Sequence, residues 1–402
     1  MAMFRGYSGP GAADLPRVVT ISVTRAAGPR SDRFVVRLHE EGTPIAWRRD
    51  VVLKEGFLEA IAKDLEILDD FAEQLHRASV RTAKAADRIG RRLFDTFLGS
   101  DGAEFLEQHP PTAIMIDADE TALDLPWELM RDQDDRLIDQ WPFGRLVTTS
   151  TRPKPERDPE QEDPTITILA VIDPSREFHN VDEEVEALRS FADHPNFRLD
   201  ILEREKATSA ALAERVAATP YDIVHFSTHG GFSTAKPGQS GLMLADGPLL
   251  TAQILELPWN KPPYMAIVSA CWSGRSAPNR RLASLRSGSN GVAAAFLSSG
   301  ASSCLGFGWP VHDAAAAAFV AAFYNGLVHT SNVGEAVFEA RQRLQRALHE
   351  YHDLVALGAV FYGDVGTSKR RDLRKAVPPG PPEPPGFRVP HDTTRRDIAT
   401  AS

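Results

Sequence analysis

The sequence predicts an α/β fold, a mainly parallel sheet with helices on both faces, preceded by a smaller α+β subdomain. Three observations carry that prediction. From residue 165 onward, short apolar runs alternate with amphipathic stretches, the pattern of strands joined by crossover helices. Two of these runs, residues 221–231 (YDIVHFSTHGG) and 264–274 (YMAIVSACWSG), close on small residues and glycine, as buried parallel strands do where they emerge into loops. Before residue 150 the order differs: two strand-like runs come first, and two long helical stretches follow.

Residues 1–15 are rich in Gly and Pro and are expected to fray. Residues 18–24 and 34–38 read as strands that can pair. Phe57, Leu58, Ile61, Leu65, Leu68, Phe71 and Leu75 recur at helical spacing and mark one face of an amphipathic helix; a second helix follows over 80–98. Residues 113–116 form a short apolar strand, and Pro126 falls in the first turn of a helix expected from Leu125 through Met130. Residues 16–150 thus make a subdomain without a nucleophile–base pair. Residues 151–164 are charged, carry four prolines and read as a linker.

The regular alternation starts there. A strand over 165–172 leads to a helix from Val181, with Asn180 as its cap and Glu183 in its first turn. A strand over 197–202 and a helix over 209–218 lead into the run that ends at His229. Residues 241–250 read as a hairpin, and Thr251 can cap a short helix. Residues 273–290 read as a solvated loop, whose Arg275, Arg280, Arg281 and Arg286 could attract acidic partners. A helix over 291–299 precedes a strand holding Cys304, and Asp313 opens an Ala-rich helix over 314–323. Asn332 and Glu335 start another helix, with Val333, Val337, Leu344 and Leu348 inward. A strand over 356–364 closes the second domain, 165–367; residues 368–402 have the composition of a disordered Pro-rich tail.

The two strand ends carry the chemistry. In open α/β sheets, ligands bind in the crevice outside the carboxyl ends of the strands, and His229 and Cys271 each stand at such an end. The thiolate is the reactive form of cysteine, and an imidazole within hydrogen-bond reach can take the thiol proton and return it to a leaving group. Backbone N–H groups of Gly230 and Cys271 can stabilise the oxyanion of an acyl-transfer intermediate. The set suits an amide-cleaving cysteine hydrolase.

The order strand-His-Gly, then strand-Ser-Ala-Cys, resembles the caspase-like peptidase clan (caspases, metacaspases, separase), and within it the bacterial CHAT domain. Residues 123–130 (LDLPWELM), 308–313 (GWPVHD) and 356–364 (ALGAVFYGD) add to the likeness, which covers most of residues 15–365. The resemblance implies His229 as general base, Cys271 as nucleophile and a non-catalytic caspase-like subdomain ahead of the catalytic one. It implies a cysteine endopeptidase acting on protein substrates in a regulated bacterial defence or cell-death pathway, with an upstream activating protein as a further partner. Ser269 stands where metacaspases carry Asp and caspases Gln, so a caspase-type preference for Asp does not follow. Trp309, His312 and Asp313 would line the pocket for the residue before the scissile bond, together with Ser269, although a role as helix N-cap already explains Asp313.

Other readings stand beside this one. His225 lies inside its strand and reads as a satisfied core histidine, and Cys304, mid-strand, reads as core packing. Ser269-x-Cys271-x-Ser273 also fits a nucleophile elbow of the hydrolase or amidotransferase type, which would pair Cys271 with His312. A catalytically silent CHAT-like scaffold that binds a partner is the third reading. The net charge of −10 over 402 residues, without basic runs interleaved with aromatics, argues against a nucleic-acid surface. The longest apolar run, 314–324, falls short of the ~20 residues that span a bilayer, so no membrane partner is expected. Two cysteines without a pairing pattern, and an amino terminus without signal-peptide features, point to the cytoplasm. Phosphate-binding and dinucleotide glycine motifs and zinc-ligand spacings are missing, so neither cofactor nor metal is expected.

Overall fold

The computed structural model describes residues 17–26, 32–44, 46–73, 80–119, 122–147, 165–175, 181–192, 197–231, 240–270, 291–309, 311, 313–330, 332–347 and 355–365. The chain opens on an antiparallel meander, β1 (Val18–Arg25), β2 (Arg33–Glu40) and β3 (Ala46–Val52). Val19, Ile21 and Val23 of β1 and Phe34, Val36 and Leu38 of β2 are buried while the residues between them are more open, the period-2 alternation of a sheet with one wet face. Helices α1 (Phe57–Glu73), α2 (Val80–Phe97) and α3 (Gly99–Gln108) follow. Ile61, Leu65 and Leu68 pack with Ala85, Ile89 and Leu93 in one core, and Arg88 of α2 pairs with Asp64 of α1 beside it. Strand β4 (Ala113–Ala118), a 3-10 turn at Trp127–Leu129, the short α4 (Leu137–Gln140) and β5 (Phe143–Val147) complete this part.

The second part runs β6 (Ile166–Ile172), α5 (Val181–Ala192), β7 (Phe197–Glu203), α6 (Ser209–Ala218) and β8 (Ile223–Ser227). A small three-stranded sheet follows, made of β9 (Gly230–Gly231), β10 (Gly241–Leu244) and β11 (Gly247–Leu250). Then come α7 (Thr251–Leu255), β12 (Met265–Ser269), α8 (Val292–Ser298), β13 (Ser303–Phe307), α9 (Asp313–His329), α10 (Val333–Ala347), α11 (Val355–Gly358) and β14 (Ala359–Tyr362). Among the described residues, the large sheet has eleven strands in the order β3-β2-β1-β4-β5-β14-β13-β12-β8-β6-β7. Its pairings are parallel except β1·β2, β2·β3 and β13·β14. β6, β8, β12 and β13 are buried along nearly their whole length because both faces are covered. One apolar core packs the sheet against α1, α2, α6 and α8; the other packs it against α5, α9 and α10.

One seam, β5 against β14, joins β1–β5 to β6–β14. Tyr362 is registered with Arg145, and the Gly363 N–H donates to the Arg145 carbonyl at 3.0 Å. Charged side chains reinforce this short contact. The buried Arg145 guanidinium donates to Glu128, through Nε at 2.9 Å and again through Nη2, and to the Leu123 carbonyl at 2.6 Å. Burial opposes that charge, but Glu128, Tyr362 and Asp124 together outweigh it and push the guanidinium's pKa up. Arg341 of α10, fully buried, donates to the Ala359 carbonyl of β14 at 2.6 Å and lies 3.5 Å from the Phe143 carbonyl of β5.

The expected fold class stands, and several local expectations need correction. The helix expected from Leu125 is only the 3-10 turn Trp127–Leu129, because Pro126 sits at ψ 72 and the chain turns sharply at both ends. Thr251 is the first residue of α7 rather than its cap; Leu250 holds that place, its N–H donating to Gln253 Oε1 at 2.8 Å. The closing strand expected over 356–364 splits into α11 and the four residues of β14. β3, α3 and β5 were not anticipated. β3 is a polar edge strand, α3 starts on glycine and serine, and β5 hides a buried arginine in its middle. The expectations for 1–15, 151–164, Asn180, 273–290, Leu348 and 368–402 lie outside the described residues.

Candidate active site

β8 and β12 are hydrogen-bonded neighbours in parallel register, Ile223 opposite Met265 and Ser227 opposite Ser269. The ladder continues past the last pair, the Thr228 N–H lying 3.4 Å from the Ser269 carbonyl. β6 flanks β8 on the other side, and its end is held by the Asp173 N–H, which donates to the Ser227 carbonyl at 2.9 Å. The carboxyl ends of β6, β8 and β12 thus form one rim, with Asp173, His229 and Ala270 the first or second residue beyond each strand.

His229 is half-buried, with its Nε2 shielded from solvent. Its backbone is fixed from the small sheet. The Met243 N–H donates to the His229 carbonyl at 2.9 Å, and the Thr228 hydroxyl donates to the Met243 carbonyl. Gly230 is paired with Leu242 on β10. Because Met243 reaches past that pair to His229, it is the non-hydrogen-bonded kind, in which N–H groups point away from the partner strand. The Gly230 N–H therefore faces the outer edge of the small sheet, where β9 is the last strand among the described residues. A donor left free of the ladder at a rim is what oxyanion stabilisation requires.

Ser269 and Ala270 are buried at the end of β12, and Cys271 follows directly but lies outside the described residues. His312 lies outside them as well, and Asp313 is the first residue of α9 with its side chain undescribed. Trp309 is described and buried. Its indole lines a small cavity at the seam with Asp124, Glu128, Arg145 and Tyr362, and its Nε1 has no hydrogen-bond partner among the described residues. The indole lies so close to the main chain at Gly358 that a Cβ there would come within 2.8 Å of Nε1. Cys304 is fully buried on β13, and burial alone pushes its thiol far above the ordinary range, so it is core packing, as expected.

His225 is likewise the satisfied core histidine that its mid-strand position implied. Its Nε2 lies 2.8 Å from Glu184 Oε1 of α5, and its Nδ1 lies 3.2 Å from the Tyr324 hydroxyl of α9. Sequence reasoning missed Glu184 and Asp173. Glu184 is one of several carboxylates at the start of α5 and carries no mark of being the buried one. Asp173 is buried with φ 44, an uncommon backbone conformation for a residue other than glycine, and nothing in the local sequence marks it. Among the described residues, no group of three or more His, Cys, Asp or Glu side chains could hold a metal ion. No helix among them is long and apolar enough to cross a membrane.

Separase from Saccharomyces cerevisiae, in its complex with securin, superposes with a TM-score of 0.54 at 11% identity, covering 86% of this chain and 30% of the separase chain. A complex of the pro- and mature domains of RgpB from Porphyromonas gingivalis gives a TM-score of 0.45 at 11% identity, over 76% of this chain and 77% of that one. No curated protein matches the sequence. The fold is that of the caspase-like peptidases that the strand-His and strand-Cys motifs resemble. The family model of the CHAT domain matches residues 87–362, from α2 of the first part to the last residue of β14, and this chain belongs to the CHAT domain family.

Proposed function

We propose that this chain is a cysteine endopeptidase in which Cys271 attacks the scissile carbonyl and His229 moves the proton. The observation that carries the reading is the register of β8 and β12, with Ser227 opposite Ser269. His229 and Cys271 are each two residues beyond those partners. Neighbouring strands run about 4.8 Å apart, so residues leaving at matched register need no long reach to meet. In this reading the imidazole takes the thiol proton, the thiolate adds to the carbonyl, and the imidazolium returns the proton to the departing amine. Water then releases the acyl group by the same route. The Gly230 N–H, facing outward from the small sheet, supplies one oxyanion donor and the Cys271 N–H a second.

Residues 16–150 act as a non-catalytic support in this proposal, and 165–367 carry the chemistry. Ser269, Trp309, His312 and Asp313 belong to the walls of the substrate pocket. The substrates are proteins, in a cytoplasmic defence or cell-death setting. A protein regulator is part of the proposal too, since the separase structure is itself a complex with a second protein.

The test is to incubate wild type, Cys271→Ala, His229→Ala and His312→Ala with a peptide library. The dyad reading expects cleavage by wild type and by His312→Ala, and none by the other two. Loss of cleavage in His312→Ala with activity kept in His229→Ala would transfer the base to His312, and wild type without cleavage would leave a partner-binding scaffold.

A further inference from the structure

Beneath the rim lies a buried polar cluster that the proposed chemistry does not use. Glu184 in the first turns of α5, His225 and Ser227 on β8, and Tyr324 on α9 are all buried, His225 and Tyr324 completely. The Glu184 carboxylate accepts from His225 Nε2 at 2.8 Å with one oxygen and from the Ser227 hydroxyl at 2.5 Å with the other. His225 cannot touch substrate, since none of its surface is open. An apolar side chain of similar volume would fill the same space at lower desolvation cost, so packing alone does not account for a carboxylate there. What a carboxylate adds is direction: two oxygens with fixed partners define one position of the strand.

We propose that Glu184 is a positioning residue for His229, fixing the last turn of the chain before the imidazole. The inference rests on the dyad reading above. Its basis is that three successive residues of the β8 exit are tied down from opposite faces of the sheet. Ser227 is held on the α5 side by Glu184, and its carbonyl accepts from the Asp173 N–H at 2.9 Å. Thr228 is held on the other side, its hydroxyl donating to the Met243 carbonyl of β10. His229 then has its own carbonyl held by the Met243 N–H at 2.9 Å. Without Glu184, the α5 side would no longer hold the Ser227 hydroxyl. His225, two residues earlier on the same face, gives the carboxylate its second anchor and stops it from rotating away.

The experiment compares Glu184→Gln and Ser227→Ala with wild type and with Ser303→Ala. The last is a control that removes a buried strand hydroxyl, bonded to the Tyr264 carbonyl, at the opposite end of the sheet. Two quantities are read: kcat and KM on a cleaved peptide, and the ring resonances of His229 by NMR in histidine-labelled protein. A positioning role predicts a fall in kcat of about tenfold to a hundredfold, because misplacement by an ångström has that scale of effect, with KM within about twofold of wild type. It also predicts doubled or broadened His229 ring signals in both variants and unchanged ones in Ser303→Ala. If both variants merely melt earlier, with kcat and the His229 signals as in wild type, the network is structural and the inference is wrong. Should Glu184→Gln fail to fold, Ser227→Ala, which removes only one hydroxyl, decides the matter. Wild type that cleaves nothing would overturn the dyad reading instead, and the ring signals would still settle whether Glu184 orders residue 229.

Discussion

A thiol is chemically useful only where it can shed its proton, and Cys304 cannot. It is fully buried on β13, and burial drives its pKa far upward. A thiol reagent at neutral pH should therefore label one cysteine of the native chain, Cys271, and both only after denaturation; labelling of Cys304 in the folded protein would contradict this. The same contrast shows what single residues reveal in a sequence. His225 was legible as a core histidine because an apolar run surrounds it on both sides. Its partner Glu184 was not, because Asp182, Glu183, Glu184 and Glu186 look alike until the helix has chosen which side faces the sheet. Asp173 was hidden for a different reason: its conformation arises from the strand end that it closes, and no local motif encodes that.

Glycine marks the places where elements meet too closely for any side chain. At Gly90 of α2, an added Cβ would stand 1.9 Å from the Leu129 carbonyl oxygen of the 3-10 turn. Gly90→Ala should accordingly cost about 1–3 kcal/mol through forced displacement of that turn, read as a lower denaturant midpoint; an unchanged midpoint would show that the turn yields freely. Glu128, in the same turn, holds the buried Arg145. Glu128→Gln should cost about 3–5 kcal/mol, because it leaves a guanidinium buried without its counter-charge, and a loss below about 1 kcal/mol would show that water reaches the pair. Elements were legible where periodicity was clean, as in β1, β2, α1 and the whole run from β6 to β8. They were obscured where burial was achieved by polar means. β5 carries Arg145 at its centre, and β3 exposes alternate residues along a sheet edge, so neither shows an apolar run.

For the whole molecule, the decisive feature is the seam between β5 and β14, since it is there that the described strands β1–β5 join β6–β14 in one sheet. Arg341 crosses it from the α10 side, and burial lowers its pKa from the ordinary guanidinium value to about 10. The folded chain then binds fewer protons than the unfolded chain between those values, so stability gains from this group as pH rises through 10. Wild type should gain on Arg341→Met above pH 10 in paired denaturation curves, and parallel profiles would show that the guanidinium is not under that strain. A sheet joined at one place could be read from the sequence only in outline: the two parts differ in their element order, but their shared sheet depends on pairing between Arg145 and Tyr362, 217 positions apart (362 − 145). The central claim, a nucleophile and a base meeting at the rim of that sheet, is tested most directly by trapping. Wild type and His229→Ala are each exposed to an acyloxymethyl ketone peptide, and the adduct is located by mass spectrometry. The account predicts a covalent adduct on Cys271 that forms at least about a hundredfold more slowly without the imidazole; equal rates in both proteins, or an adduct elsewhere, would contradict it.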